Sequence, residues 1–486
     1  MSFDSIGFIL FFPIVILVYF LFSKKYRYLW LLDASYIFYA CWNIKYMFFL
    51  LFSTLTTYLC ARLMQGNRKK QIFHICLICN LFILYIFKHG LWTISIVDRI
   101  ANFLNVSITI PSFDIVLPIG MSFYMLQSLG YLIDIYRKKA KPETNFAKYA
   151  LFVSFFPTIL SGPIERSDNL LKQISKGTDF SYDNAKTGLL LIVWGYFEKI
   201  LIANRISQLV SYAYSNYTDM TGAALAFVIF LYAIQIYADF AGYSYIAIGT
   251  ARMLGFELVT NFRQPYFSIN INEFWRRWHM SLSQWLRDYV YISIGGSRCS
   301  KLKTYRNLIF TFLISGLWHG TGITYIVWGG LHGIYQVIGN ASLEFREKIK
   351  CKLKINARCW SYRLYQGIIT FIMVDFAWLF FRSSSMKQAI AILRKITTDF
   401  RLGDTILYNI NLFNMEGSRF FLLIVEIVIL LLIDILHEMD IHIIPWLNQQ
   451  NFLFRWSIYF IIVIALIIGT LYNYGADAST FIYTQF

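Results

Sequence analysis

Two histidines stand in apolar, aromatic surroundings where a charged side chain is costly. His279 lies in the stretch FWRRWHMSLSQW, and His319 lies in LISGLWHGTG. An imidazole gains or loses its proton near neutral pH, which suits it to proton transfer during a reaction. Ionisable residues at membrane depth are expensive and usually functional. Both histidines are therefore candidate catalytic residues, and the rest of the chain must supply the elements that position them.

The residues around His279 predict one helix that lies along the membrane interface. Asn272 is a suitable N-cap, and the Gly295-Gly296 pair is a suitable end. At about 100° per residue, the arginines fall on one face and the aromatic residues fall on the other. Such a helix keeps its arginines near lipid headgroups. The expected apolar face consists of Trp275, Trp278, His279, Leu282, Trp285, Leu286 and Tyr289.

The residues before His319 predict a helix that is shorter than the membrane. Leu308 to His319 is twelve residues, roughly 18 Å of helix against a hydrocarbon core of about 30 Å. The glycines of the following GTG sequence then break the helix. Non-helical backbone at that depth is tolerated only where it is buried in protein or lines a wet cavity. A pocket is therefore expected beside His319.

The composition indicates a polytopic helical membrane protein. Of the 486 residues, 57% are hydrophobic and only 15% are charged, a balance that ordinary soluble domains do not have. The formal net charge of +17 is clustered in loops between apolar runs, as in proteins whose loops orient them in a bilayer. The basic charge therefore predicts a lipid partner and no nucleic-acid partner.

Successive apolar runs predict about 11 or more transmembrane helices, together with re-entrant half-helices and the interfacial helix. We expect a single membrane-embedded domain over residues 1–486. Its N-terminal spans occupy 1–141, a catalytic core occupies 142–345, and a basic loop with the C-terminal spans occupies 346–486. The expected runs are 5–22, 28–40, 46–64, 72–90, 114–136, 146–162, 187–209, 222–250, 366–381, 419–436 and 453–473.

The run 146–162 is not expected to be a simple crossing. Residues 141 and 187 must both be cytoplasmic if the basic loops are to remain inside. The run ends in FFPTILSGPIER, where Pro157, Gly162 and Pro163 favour a broken helix. We therefore expect this segment, like the one that ends at His319, to enter the membrane from the cytoplasmic face.

Other polar residues have weaker claims to a functional role. Asp239 stands between aromatic neighbours, needs a polar partner, and is expected to line the pocket. Glu198 and Lys199 lie near the centre of a span and are expected to form an internal ion pair. His332 either lines the same cavity or is a packed helix contact. The seven cysteines are scattered without metal-ligand spacing, so no metal site is predicted.

Several long motifs, in order along the chain, resemble the membrane-bound O-acyltransferase (MBOAT) family. They are FFPTILSGPIER, DFAGYSYIAIGTARMLGF, FWRRWHMSLSQWLRDYVYISIGGSR, SGLWHG and WGGLHG. The opening LFFPIVILVYFLFSKKYRYLW and the closing ASTFIYTQF are similar to the bacterial branch that includes alginate and peptidoglycan O-acetylation proteins. The resemblance therefore covers essentially the whole chain.

The resemblance implies transfer of an acyl group from a thioester to a hydroxyl inside a membrane-traversing pore. His319 matches the near-invariant histidine of the family, and His279 matches its second polar motif residue. We assign His319 as the general base, with covalent carriage of the acyl group as the alternative. We assign His279 to orienting the donor or stabilising developing charge. Donor binding or tunnel lining is expected from Trp275, Arg276, Arg277, Trp278, Trp318, Asp239 and His332.

The resemblance also implies a donor, a partner and a location. The expected donor is acetyl-CoA or another acyl thioester, bound only as a substrate. In this branch a separate extracytoplasmic acetyltransferase of the SGNH-hydrolase kind often completes the transfer onto a polysaccharide, so we expect such a partner in trans. The expected location is the bacterial cytoplasmic membrane, with a multi-pass topology. Two alternatives remain: D-alanyl transfer to teichoic acid from an acyl carrier protein, and a polysaccharide or lipid transporter without covalent chemistry.

Two positions depart from the expected family pattern. Tyr245 stands where the family's YSD sequence has its acid, and Asn204 stands where an acid usually follows the KxxIA sequence. A role that depends on those two acids is therefore not expected in this chain. Glu198 is a candidate replacement.

Overall fold

The structure, a computed structural model, describes residues 1–64, 66–106, 117–401 and 417–472. Every regular element in these ranges is helical, which confirms the predicted all-α class. Among the described residues, six helices are long and apolar enough to cross a membrane, so the larger predicted number of spans is not confirmed. Some of the other predicted spans are helices of only 16 and 14 residues.

Helices occupy the described parts of the predicted apolar runs, but a π-helical turn divides the run 187–209. The helices Leu343–Lys352 and Met386–Thr398 correspond to no predicted run, and the first of them lies partly in the predicted basic loop. In chain order the α-helices are α1 (Ile6–Leu21), α2 (Arg27–Ala40), α3 (Met47–Leu63), α4 (Lys69–Phe103), α5 (Met121–Tyr136), α6 (Phe146–Ser154), α7 (Phe156–Ile159), α8 (Lys172–Lys176), α9 (Tyr182–Tyr196), α10 (Asn204–Ser215), α11 (Gly222–Met253), α12 (Ile271–Arg277), α13 (Met280–Leu286), α14 (Lys301–His319), α15 (Ile323–Ala341), α16 (Leu343–Lys352), α17 (Trp360–Arg382), α18 (Met386–Thr398), α19 (Gly417–Glu438), α20 (Ile443–Asn448) and α21 (Phe452–Tyr472). Wider π-helical turns occupy Ser167–Leu171, Phe197–Ala203 and Arg287–Tyr291. The predicted residues 114–116 and 473 lie outside the described ranges.

The chain divides into two compact units. Among the described residues, the first unit contains those within 1–192 together with 246–260, and the second contains 193–245 together with those within 261–472. Both candidate catalytic histidines belong to the second unit. The candidate site therefore lies within the second unit.

In the first unit, the predicted break within 146–162 is confirmed. α6 ends at Ser154, and the short helix α7 has Pro157 in its first turn. Beyond it, the buried carboxylate of Glu165 accepts hydrogen bonds from the Val259 N–H and from the Asn169 side-chain amide, each at 2.7 Å. The return of this segment to the same face of the membrane stays a prediction.

In the second unit, α14 and α15 approach each other closely at glycines. A methyl group on Gly316 would collide with the Tyr325 carbonyl oxygen, and one on Gly329 would collide with that of Phe312. Between the helices, Gly322 has a φ of 115°, a value that glycine adopts far more readily than other residues. The helix end predicted at His319 is confirmed.

The predicted half-membrane length of the helix before His319 is wrong. α14 has 19 residues and begins at Lys301 rather than at Leu308, which makes it about 28 Å long. The basic connector joins the helix because lysine and arginine are good helix formers. Their long side chains also carry the charge away from apolar surroundings.

The single helix predicted from Asn272 to the Gly295-Gly296 pair is also wrong. Asn270 is the residue that caps α12, and its side chain accepts a hydrogen bond from the Glu273 N–H at 2.9 Å. α12 then ends after seven residues, and α13 begins only after His279. Hydrogen bonds to the preceding chain, described below, replace the helical bonds at this break.

Candidate active site

His279 occupies a strained backbone position between two short helices. Its φ and ψ are 42° and 54°, in the left-handed region that residues other than glycine seldom adopt. α12 closes just before it, where the Trp278 N–H donates to the Phe274 carbonyl oxygen at 2.8 Å. A left-handed residue of this kind costs about 1 kcal/mol or more. Neighbouring contacts must therefore hold it in place.

The chain that precedes α12 provides those contacts. The Met280 N–H donates to the Asn261 carbonyl oxygen at 2.9 Å. The side-chain oxygen of Asn261 also accepts hydrogen bonds from Ser281, at 3.2 Å from its N–H and at 2.7 Å from its hydroxyl. The two residues that follow His279 are thus fixed, which restricts where the imidazole can lie.

His319 is the last residue of α14, and its own helix fixes its ring. Nδ1 lies 2.7 Å from the carbonyl oxygen of Ser315. A carbonyl oxygen only accepts hydrogen bonds, so Nδ1 carries the proton, and Nε2 of the neutral imidazole keeps its lone pair. This tautomer is the one in which Nε2 can act as a general base.

The two histidines come from separate elements and share one buried site. Their ring centroids are 6.5 Å apart with an angle of 84° between the planes, and their exposed fractions are 0% and 2%. Trp318 lies beside both, with its centroid 6.0 Å from that of His279 and 4.9 Å from that of His319. The separation allows both rings to hydrogen-bond one small polar group at about 3 Å each.

Aromatic side chains surround the pair and shield it from solvent. The ring of His319 lies 4.8 Å from that of Trp328 and 5.6 Å from that of Phe381. The ring of His279 lies 4.6 Å from that of Phe240, edge to face. Hydrogen bonds and charges act more strongly in such a dry site than in water.

A cavity of about 730 Å³ lies between α12, α13, α14 and α15. Its wall includes Met280, the residue after His279, and Ser315, whose carbonyl oxygen holds His319. Neither histidine is itself among the lining residues. The wall mixes hydroxyl and amide side chains with apolar ones, and its other members are Asn272, Trp275, Arg276, Ser283, Gln284, Leu286, Arg287, Tyr291, Ser297, Thr304, Leu308, Thr311, Phe312, Gln336 and Asn340.

Ser315 is a residue of the site that was not predicted from the sequence. It is 1% exposed, and within the described ranges its hydroxyl oxygen has no hydrogen-bond partner. Residues four apart lie on one helix face, so the spacing between Ser315 and His319 was a usable signal. Because a buried hydroxyl without a partner is costly, this one is suited to a ligand group in the cavity.

Two adjacent arginines, both predicted to contact the donor, have different surroundings. Arg276 lies in the cavity wall together with Trp275. Arg277 is outside the wall, and its guanidinium pairs with Glu273 at 2.6 Å and with Glu438 at 2.5 Å. Of these two arginines, Arg276 is therefore the one placed to meet a molecule in the cavity.

Trp278 and His332 belong to the aromatic core beneath the site. Trp278 is fully buried, with its ring stacked on Phe274 at a centroid distance of 5.5 Å. His332 is also fully buried, and its Nδ1 accepts a hydrogen bond from Trp275 Nε1–H at 3.3 Å. Of the two predicted roles of His332, the structure favours the packed helix contact.

Asp239 forms a buried ion pair on α11. Lys199 Nζ donates to its Oδ1 at 2.6 Å, and the two side chains are 0% and 3% exposed. The ion pair predicted for Glu198 and Lys199 is wrong, because Asp239 takes the ammonium group. Asp239 thus has the polar partner that its burial requires, but it is not among the residues that line the cavity.

Comparisons with known proteins agree in one family. The model of the membrane-bound O-acyltransferase family matches residues 136–381, a range that contains both histidines. The chain is 35% identical to the probable alginate O-acetylase AlgI of Pseudomonas aeruginosa, over 84% of this chain and 76% of that protein. It is 33% identical to the peptidoglycan O-acetyltransferase of Helicobacter pylori, over 75% and 73% respectively. The teichoic acid D-alanyltransferase of Bacillus subtilis is 29% identical over 56% of this chain and 70% of that protein. The chain therefore belongs to the membrane-bound O-acyltransferase family and is an O-acyltransferase.

Proposed function

We propose that this O-acyltransferase moves an acetyl group from a cytoplasmic thioester toward the hydroxyl groups of a cell-surface or secreted polysaccharide. The relatives with 35% and 33% identity are named for alginate and peptidoglycan O-acetylation. The D-alanyltransferase match is weaker and shorter, so acetyl transfer has the better support. The same names favour covalent transfer over a transporter.

The observation that carries this proposal is the contact that orients the ring of His319. Its Nδ1 bond to the Ser315 carbonyl oxygen, at 2.7 Å, leaves Nε2 as the base. Nε2 takes the proton of an acceptor hydroxyl while the hydroxyl oxygen attacks the thioester carbonyl carbon. The carbon–sulfur bond of the tetrahedral intermediate then breaks, and the departing thiolate takes the proton from Nε2. A positioned base of this kind contributes roughly 10²–10⁴-fold.

His279 is proposed to stabilise the oxyanion of that intermediate. Its ring centroid lies 6.5 Å from that of His319, so an N–H of His279 can donate to the carbonyl oxygen while His319 acts on the hydroxyl. A preorganised donor in a dry site contributes about 3 kcal/mol. The left-handed turn holds the ring before the reaction begins, which keeps reorganisation small.

The cavity is proposed to hold the arm of the thioester donor. Its volume of about 730 Å³ is in the usual range for small-molecule sites. Hydroxyl and amide side chains in its wall suit the amide groups of a pantetheine arm, and Arg276 offers a guanidinium to a phosphate. Acetyl-CoA is the preferred donor. An acylated carrier protein, which presents the same arm, is the alternative.

The donor side is proposed to be cytoplasmic, in a multi-pass protein of the bacterial cytoplasmic membrane. The positively charged segments 252–306 and 345–363 belong on that side by the positive-inside rule. The polysaccharide lies on the opposite side. A separate extracytoplasmic acetyltransferase of the SGNH-hydrolase kind is therefore proposed to complete the transfer in trans.

The test follows radiolabelled acetyl-CoA in nanodiscs, with and without the extracytoplasmic partner. His319→Ala and His279→Ala are compared with wild type and with the control His74→Ala. His74 makes the same kind of contact, with Nδ1 2.6 Å from the Lys70 carbonyl oxygen, but on an exposed face in the first unit. We expect His319→Ala to lose at least about 100-fold in rate and His74→Ala to match wild type.

Each other outcome has its own meaning. Turnover with an acylated carrier protein and none with acetyl-CoA would favour the alternative donor, an acyl carrier protein as in D-alanyl transfer. A wild-type rate in monodisperse His319→Ala protein would contradict the role of general base. A labelled acetyl adduct that forms in wild type and is absent from His319→Ala would support covalent carriage by His319.

A further inference from the structure

We infer that Glu438, the last residue of α19, is a positioning residue for His279. The inference rests on the proposed role of His279 in acyl transfer. Glu438 lies outside the range 136–381 that matches the family, and it is not among the residues that line the cavity. It acts through Arg277, two residues before His279 in the chain.

Arg277 and Glu438 form a bidentate ion pair. Nη1 of Arg277 lies 2.5 Å from Oε2 of Glu438, and Nη2 lies 3.2 Å from Oε1. Nη2 also donates to Oε1 of Glu273 at 2.6 Å, so two carboxylates fix one guanidinium. The Arg277 and Glu438 side chains are 18% and 25% exposed, which limits screening by salt. Such paired hydrogen bonds add geometric specificity to the attraction.

The backbone of Arg277 is the point at which the chain leaves α12 for the turn at His279. Its carbonyl oxygen accepts a hydrogen bond from the Arg263 N–H at 3.0 Å. α12 has only seven residues, and a helix of that length does not hold its own end in place. Glu438 therefore supplies, from a helix distant in the sequence, a fixed point two residues before the strained residue.

A second acid on the same face of α19 contacts the chain segment at Gln264, which precedes α12. Asp434, one turn before Glu438, accepts a hydrogen bond from the Tyr237 hydroxyl at 3.2 Å, and it also contacts the side chain of Gln264. Gln264 has a φ of 41°, so it is left-handed as well. Acids four residues apart lie on one helix face. From that face, Asp434 contacts the left-handed residue Gln264, and Glu438 holds the turn at His279 through Arg277.

The acids of α19 could simply attach this helix to the rest of the second unit, and this role must be distinguished from positioning of His279. Glu426 of α19 also forms a buried ion pair, with both carboxylate oxygens 3.0 Å from Nη1 of Arg205. Glu426 is twelve residues before Glu438, which is about 18 Å along the helix. Loss of this pair removes a comparable contact of α19 without touching the turn at His279, so Glu426→Gln is the matched control.

The experiment uses the full chain in nanodiscs and compares Glu438→Gln and Glu438→Ala with Glu426→Gln. Melting temperature, kcat and the KM for acetyl-CoA are measured. The ring NMR signal of His279 is followed in histidine-labelled protein and is assigned by its absence from His279→Ala. This signal reports the position of the ring independently of turnover.

We expect the Glu438 variants to lower kcat by between about ten- and a hundredfold while the KM for acetyl-CoA stays within about twofold. The larger loss is expected for alanine, because glutamine keeps one hydrogen bond to Arg277. The His279 signal should shift or broaden in both Glu438 variants. Glu426→Gln should leave kcat and the His279 signal unchanged.

Three outcomes would overturn the inference. Equal effects of Glu438→Gln and Glu426→Gln on kcat and on the His279 signal would mean that both acids only attach α19 to the rest of the unit. A raised KM with unchanged kcat would assign Arg277 to donor binding. Unchanged kcat and an unchanged His279 signal in both Glu438 variants would remove the positioning role. A fully active His279→Ala protein would instead contradict the proposed role of His279, while the NMR signal would still show whether Glu438 positions its ring.

Discussion

His279 and His319 share one buried site, with ring centroids 6.5 Å apart and ring planes at 84°, but they are held there by different means. α14 itself fixes His319, through the Ser315 carbonyl oxygen. His279 depends on a left-handed turn, which is held by contacts from other segments. Changes far from the site should therefore disturb His279 more readily than His319.

Ser315→Leu should block the site, whereas Ser315→Ala should not. The Ser315 hydroxyl lies in the cavity wall, but His319 is held by the backbone carbonyl oxygen, which both variants keep. We expect leucine to lower kcat/KM for acetyl-CoA at least about 100-fold and alanine to lower it less than about tenfold. Steady-state kinetics on monodisperse protein checks this. A wild-type rate for Ser315→Leu would show that the donor does not reach Ser315.

The end of the helix at His319 was predictable because its causes are local. Two glycines follow that histidine within three residues, and glycine favours the backbone conformations that end a helix. Trp275 and Arg276, which were predicted to meet the donor, both line the cavity, and their contact with a donor stays a prediction. Predictions of this kind depend only on residue types and on spacings of a few residues.

The break at His279 was not predictable from the pattern, because tertiary contacts cause it. The sequence there has the apolar spacing of a continuous helix, but Asn261 takes hydrogen bonds from Met280 and Ser281 and replaces the helical ones. The same holds for the ion pairs. Lys199 and Asp239 are 40 residues apart, and Arg277 and Glu438 are 161 residues apart. No local spacing links such partners.

Gly316→Ala should destabilise the protein, whereas Gly330→Ala should not. A methyl group on Gly316 would collide with the Tyr325 carbonyl oxygen, a backbone atom that can move only with α15. At Gly330 the nearest atom would be a Leu313 methyl carbon at 3.7 Å, an ordinary contact. We expect overpacking at Gly316 to cost about 1–3 kcal/mol. Melting temperatures of the two variants in detergent measure the difference, and equal values would contradict the close packing of α14 on α15.

Lys199→Met should impair folding more than the double variant Lys199→Met/Asp239→Leu. The single change leaves the Asp239 carboxylate buried without the ammonium group that lies 2.6 Å from it. Loss of one partner of a buried pair costs about 3–5 kcal/mol, while replacement of both by apolar residues is often neutral. The yield of monodisperse protein and its melting temperature report the effect. Recovery in the double variant is the expected result, and its absence would point to a requirement for the charges themselves.

Arg276→Gln and Arg277→Gln should have different kinetic effects although the two residues are adjacent. Arg276 lies in the cavity wall, so its loss should raise the KM for acetyl-CoA with little change in kcat. The guanidinium of Arg277 is held by Glu273 and Glu438, so its loss should lower kcat through the turn at His279. Added salt screens an exposed charge. The wild-type KM should therefore rise with ionic strength, and this dependence should weaken in Arg276→Gln alone. A raised KM in Arg277→Gln with unchanged kcat would instead place Arg277 at the donor.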